Sequence, residues 1–213
     1  MRRVTPRLPD ASGPNEGIVD GSSPALRLIL LGESTVAGIG APTHEFALAG
    51  QTAKAYTKRT GRAVQWLALG RSGANARVAR KELAPKLTGR TADAVVIALG
   101  VNDAIELNGV KRWTEDMRQL IIEVQRHMGN ARLVISGPPP LENFPAFPNL
   151  LKTFLGQRSK LIDHALVQLV PTLVNVIHAP MLTGLNKQHF CEDGFHPSVE
   201  GYAAWGEYLS RFL

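Results

Sequence analysis

Short apolar runs alternate with helically patterned segments along most of this 213-residue chain. The runs are Leu26–Leu31, Val64–Leu69, Ala94–Leu99, Leu133–Ser136 and Leu173–His178, nearly continuous in Leu, Ile, Val and Ala. Such runs predict strands buried on both faces of a parallel sheet. Between them, Phe46, Ala49, Ala53 and Tyr56 form one helical stripe, and Trp113, Met117, Leu120, Ile121 and Val124 another. Ile162, Ala165, Leu166 and Leu169 make a third, and Val199, Tyr202, Ala203 and Gly206 a fourth. Strands alternating with helices predict an α/β fold of right-handed crossovers, a five-stranded parallel sheet covered on both faces. Residues 1–24, rich in Gly, Pro and Ser and without apolar period, read as a loosely ordered lead-in to a single domain over 25–213.

Ligands in such folds sit beyond the carboxyl ends of the strands, and three short motifs fall there. Gly32-Glu33-Ser34 follows the first run, Arg71-Ser72-Gly73 the second and Gly100-Val101-Asn102-Asp103 the third. A fourth, Asp193-Gly194-Phe195-His196-Pro197, precedes the last helical stripe. Ser34 reads either as a nucleophile at a strand-to-helix turn or as a helix cap. His196, with Asp193 three residues before it, reads as a general base with its orienting carboxylate, with Pro197 opening the last helix. The Asn102 amide and the unobstructed N–H of Gly73 are donors suited to an oxyanion. Each has a simpler reading as a turn or cap residue; the ordered set favours attack on an ester carbonyl.

The bulk properties remove other classes. No apolar run reaches the ~20 residues of a membrane span, so stable insertion is not expected. Paired Arg2 and Arg3 lack a following apolar stretch, so no secretory or twin-arginine leader is expected; with the single Cys191, this points to the cytoplasm. The net charge of +6 is concentrated in residues 1–90, with 14 basic against 6 acidic residues. Arg77, Arg80, Lys81, Lys86 and Arg90 read as the solvated face of one helix, and with no aromatic interleaving no nucleic-acid partner is expected.

On its four blocks the chain resembles the SGNH hydrolases, the GDSL-type esterase/lipase superfamily, from about Leu26 to the C-terminus. The resemblance implies a three-layer α/β/α, flavodoxin-like fold that works without metal or organic cofactor. It implies Ser34 as nucleophile, His196 as base and Asp193 as its orienter, with Ser34, Gly73 and Asn102 forming the oxyanion hole. Two positions depart from the family pattern. Glu33 stands where Asp is usual, so a hydrogen bond fixing the Ser34 turn is expected to be rearranged. Leu69-Gly70-Arg71 stands where an Asn is often found, bringing a positive charge towards the site.

A small-molecule ester is therefore the expected substrate: a short acyl ester, a thioester, a lysophospholipid or an acetylated sugar. Two rivals share these residues: a non-catalytic binding or regulatory domain of the same fold, and an acyltransferase using the same acyl-enzyme. His189, Cys191, Asp193 and His196 lack a regular metal-ligand spacing. Residues Gly32–Gly40 do not satisfy Gly-x-Gly-x-x-Gly, so no nucleotide cofactor is expected. The stretch from Gly137 to Pro148 is too rich in proline for regular structure. Its Phe144 and Phe147, with Leu150, read either as an apolar wall for substrate or as cover for the core.

Overall fold

In the computed structural model, which describes residues 8–180 and 182–213, the chain folds around one six-stranded sheet. Its strands are β1 (Glu16–Val19), β2 (Ser22–Gly32), β3 (Arg62–Gly70), β4 (Ala94–Ala98), β5 (Arg132–Ser136) and β6 (Val176–Ala179). The spatial order is β1-β3-β2-β4-β5-β6. All neighbours are parallel except β1, which runs antiparallel to β3.

The expected count of five strands is thus corrected to six. The additional strand lies inside the segment read as a lead-in. It is a four-residue edge strand whose side chains alternate between exposed and half-buried, too short and too polar to register as an apolar run. The last strand also starts later than its apolar run. Leu173 turns back on Val170, and Asn175 sits in the left-handed region at φ 57°, so pairing begins at Val176.

Among the described residues, five α-helices of five residues or more flank the sheet: α1 (Leu48–Thr60), α2 (Val101–Ile105), α3 (Val110–Met128), α4 (Asn149–Leu169) and α5 (Val199–Ser210). Residue alternation along the strands divides the core in two. Ile29, Leu31, Val95, Ile97, Leu133 and Ile135 pack against α3 and α4 through Trp113, Met117, Leu120, Ile162 and Leu166. Leu28, Leu30, Val64, Val96 and Val134 face α1 and α5 through Ala49, Ala53, Tyr56 and Tyr202. The layers are therefore α/β/α. The basic segment is a distorted helix: Ala76–Val78 is α, Ala79–Leu83 is π and Ala84–Leu87, which contains Pro85, is 3-10. Its Ala79, Leu83 and Leu87 are buried, while Arg77, Lys81 and Lys86 face solvent. No helix among the described residues is long and apolar enough to cross a membrane.

The order of the strands matters for the site. The chain leaves β2 to form β3 on one side, then returns to place β4 on the other. Such a reversal opens a crevice beyond the carboxyl ends of the central strands.

Candidate active site

Ser34 lies two residues past the end of β2, after Glu33. The helix expected to start at Ser34 does not form: Val36 and Ala37 N–H both donate to the Glu33 carbonyl at 3.0 Å, and α1 begins only at Leu48. The turn is held by close packing. A side chain at Gly70, the end of β3, would run into the backbone of Val36 and Ala37. Gly40, at φ +92°, lies against the segment that carries His196: an added Cβ would stand 2.6 Å from Cys191 Sγ and 2.7 Å from the Pro197 carbonyl. Tyr202 of α5 donates its hydroxyl to the Ile39 carbonyl at 2.6 Å. The Ser34 turn and the His196 loop are thereby fixed to each other.

In that second loop, Asp193 is buried and accepts three hydrogen bonds. Oδ1 takes the backbone N–H groups of Phe195 at 2.9 Å and His196 at 3.0 Å. Oδ2 lies 2.6 Å from His196 Nδ1. One carboxylate so shapes the turn and fixes the ring, leaving Nε2 without a protein partner among the described residues. Pro197 lies before the last helix: Ser198 is the cap, accepting the Gly201 N–H at 3.1 Å.

Gly73 lies beyond β3 at φ +74°, with open space where a side chain would be. Neither its N–H nor that of Ser34 donates to a protein acceptor among the described residues. Asn102, in the first turn of α2, gives its Nδ2 hydrogens to Glu33 Oε2 and, at 3.0 Å, to the Ala74 carbonyl. Glu33 also accepts the backbone N–H groups of Val101 and Asn102, each at 3.1 Å. The longer side chain of Glu33 thus reaches the start of α2, and among the described residues its carboxyl makes no hydrogen bond to the Ser34 turn.

Two buried carboxyls meet at this junction. Burial raises Glu33 to about 8; the N–H bonds from Val101 and Asn102 oppose the rise and Asp103 adds to it. Burial likewise raises Asp103 to about 7, against the N–H of Ala76. Both folded-state values lie above the ordinary carboxylate range, so the folded chain binds the protons more tightly than the unfolded chain. The resulting stability is complete below about pH 4 and is lost as pH rises through about 7 to 8. Thermal unfolding should therefore fall in temperature between pH 5 and 8. Asp103→Asn keeps an acceptor for Ala76 and removes one titration, which should flatten the slope by up to about 1.4 kcal/mol per pH unit. Equal slopes for the two proteins would contradict this assignment.

Ser34 and His196 line one cavity of ≈ 640 Å³, its open mouth included. Val101, Pro139, Phe144, Phe190 and Phe195 line it too, as do Leu182, Leu185 and Trp205 and the polar Glu33, Thr35 and His189. Of Phe144, Phe147 and Leu150, Phe144 serves both readings: it lines the cavity and belongs to the core. Phe147 stands behind it, packed on Phe144 and Phe195, and Leu150 is 87% exposed. Leu182, Leu185 and Trp205 carried no signal in the sequence; the first two sit in an irregular segment, and Trp205 lies outside the apolar stripe of α5.

No group of three or more His, Cys, Asp and Glu side chains suited to a metal ion occurs among the described residues. Cys191 Sγ instead donates towards the carbonyls of Pro197 and Gly40, and His189 Nδ1 accepts the Asn186 N–H.

A serine and a carboxylate-held histidine thus share one largely apolar cavity beyond the central strands of an α/β/α sheet. The chain belongs to the GDSL-like Lipase/Acylhydrolase family, which it matches over residues 30–204. It is an ester-hydrolysing enzyme by class. It is 24% identical to the GDSL-like esterase Rv1075c of Mycobacterium tuberculosis, over 98% of this chain and 71% of that protein. Its fold is similar to that of the Clostridium thermocellum family 3 carbohydrate esterase, with a TM-score of 0.70 and 15% identity over 88% of this chain and 94% of the other. The lipase Lip_vut3 from a goat rumen metagenome superposes with a TM-score of 0.69 at 15% identity, over 88% of this chain and 98% of the other.

Proposed function

We propose that this protein hydrolyses carboxylic esters through an acyl-enzyme on Ser34. The observation that carries the reading is the state of His196: its Nδ1 faces Asp193 at 2.6 Å, while the ring shares a cavity with Ser34. A histidine so held has the tautomer in which Nε2 accepts a proton. Ser34 Oγ attacks the ester carbonyl as His196 takes its proton. The tetrahedral oxyanion receives the free N–H groups of Ser34 and Gly73. Asn102 adds its amide by turning one Nδ2 hydrogen from the Ala74 carbonyl to the oxyanion, while Glu33 keeps the other. Each such donor lowers the barrier by roughly 2.7–4 kcal/mol. His196 then protonates the leaving alcohol, the acyl group stays on Ser34, and water enters by the same route.

The relatives include both a lipase and a carbohydrate esterase, so the fold supports ester hydrolysis without selecting the alcohol. Hydrolysis of p-nitrophenyl acetate, butanoate and octanoate tests the proposal. Release of p-nitrophenol well above the buffer rate is expected for at least one of them. Binding without turnover of any would favour the non-catalytic reading. Ester formation with an added alcohol at the expense of hydrolysis would instead favour acyl transfer.

A further inference from the structure

The two long helices on one face of the sheet treat water differently. α3 exposes no large apolar side chain, whereas α4 exposes five, Leu150, Leu151 and Phe154 among them. Leu150, Phe154 and Arg158 recur every four residues and so share one side of α4. From that side Arg158 donates to the carbonyls of Ala104 at 2.9 Å and Asn108 at 2.7 Å. The segment after α2 is thereby laid along α4, and it exposes Ile105 and Leu107. Five apolar side chains from two elements thus form one exposed edge. Both elements start beyond the carboxyl ends of β4 and β5, at the end of the sheet that holds Ser34. Phe144 of the cavity packs on Phe147, and Leu150 follows three residues later, so the edge continues outward from the site.

Size and shape decide what this edge meets. The five side chains are between 39% and 87% exposed. At roughly 100 Å² for each aliphatic side chain they offer on the order of 300 Å². A stable protein partner takes about 800 Å² from each side, so the edge is too small to hold two copies together. Projecting leucines enter a fluid acyl layer without needing a matching socket.

The surrounding charge selects the headgroup. Residues 104–118 and 142–160 carry six basic and four acidic side chains. The acidic ones already have partners. Glu106 accepts the amides of Asn75 and Asn108, and Glu115 that of Gln119. Asp116 faces Arg77 and Arg112, and Glu142 faces Lys160. Lys111 and Lys152 have no acidic partner among the described residues, which suits them to anionic headgroups.

We infer that this edge docks the protein reversibly on an anionic lipid surface. Leu107, Leu150 and Phe154 enter the acyl layer, and Lys111 and Lys152 meet the headgroups. Such binding lies in the plane of the interface and needs no membrane-spanning helix. The inference goes beyond ester hydrolysis and does not depend on it, because binding is read without turnover.

Co-sedimentation of the full chain with phosphatidylcholine vesicles, with and without phosphatidylglycerol, tests it. Binding should be clear with phosphatidylglycerol present, several-fold weaker without it, and reduced by added salt. Leu150→Asp and Phe154→Asp should each lower the partition coefficient by tenfold or more. Lys111→Gln should lower it by about fivefold. Melting temperatures check that each variant is folded, and Lys111→Gln, on a different helix, decides if neither aspartate variant folds. No binding of the wild type to either vesicle, or equal binding by the wild type and Leu150→Asp, would overturn the inference. So would a wild-type dimer in light scattering that Leu150→Asp dissociates, because the edge would then belong to a second copy.

Discussion

Ser34→Ala should lower the turnover of p-nitrophenyl esters by about 10⁶-fold, to the level set by binding and the remaining oxyanion donors. Ser34 is 7% exposed and its Oγ makes no hydrogen bond within the described residues, so nothing structural depends on it. The variant should unfold within about 0.5 kcal/mol of the wild type. A large loss of rate at unchanged stability separates a reacting group from a structural one. Equal rates in the two proteins would remove Ser34 from the mechanism.

Asp193→Asn should cost about 10⁴-fold in kcat, and the cause is specific. Asp193 Oδ1 already accepts the N–H groups of Phe195 and His196, and the amide oxygen of an Asn would keep those bonds. The amide nitrogen then faces His196 Nδ1 and donates to it. The ring proton moves to Nε2, where it blocks acceptance of the Ser34 proton. The loop would stay folded while the base is disabled, so kcat should fall with KM little changed. An Asp193→Asn enzyme with near-normal kcat would mean that His196 does not work as the base.

Much of this site could be read before the fold was known, because its parts follow the ends of apolar runs. Ser34, Gly73 and Asn102 lie past the carboxyl ends of β2, β3 and β4, three neighbouring parallel strands, although only Ser34 of the three lines the cavity it shares with His196. Asp193 and His196 are three residues apart, and the turn between them forms locally. Glu33 was different. Its length pointed to an altered bond, but its partners lie 68 and 69 residues away, and only strand order makes them neighbours. The walls of the cavity were hidden for a related reason. Leu182 and Leu185 have no period of their own, and Trp205 falls outside the core stripe of its helix. Strand β1 escaped because an edge strand of four residues with two exposed side chains has no continuous apolar signal.

Local chemistry also redirected two expected helix starts. The residues after Ser34 wind into a turn around the Glu33 carbonyl, which takes the Val36 and Ala37 N–H groups that the first turn of a helix would have left free. After His196, the hydroxyl of Ser198 takes the cap that Pro197 had been expected to open. Both changes keep the site side chains outside regular helix, where neighbouring loops hold them.

The central claim is that Ser34 is the activated nucleophile, and the most direct test is to find where an electrophile lands. After reaction of the native protein with a fluorophosphonate, peptide mass spectrometry should show a single adduct on the peptide containing Ser34. The adduct should be absent when His196→Ala is treated in the same way. Continued ester hydrolysis with no label on Ser34, or a label carried by another residue, would contradict the account.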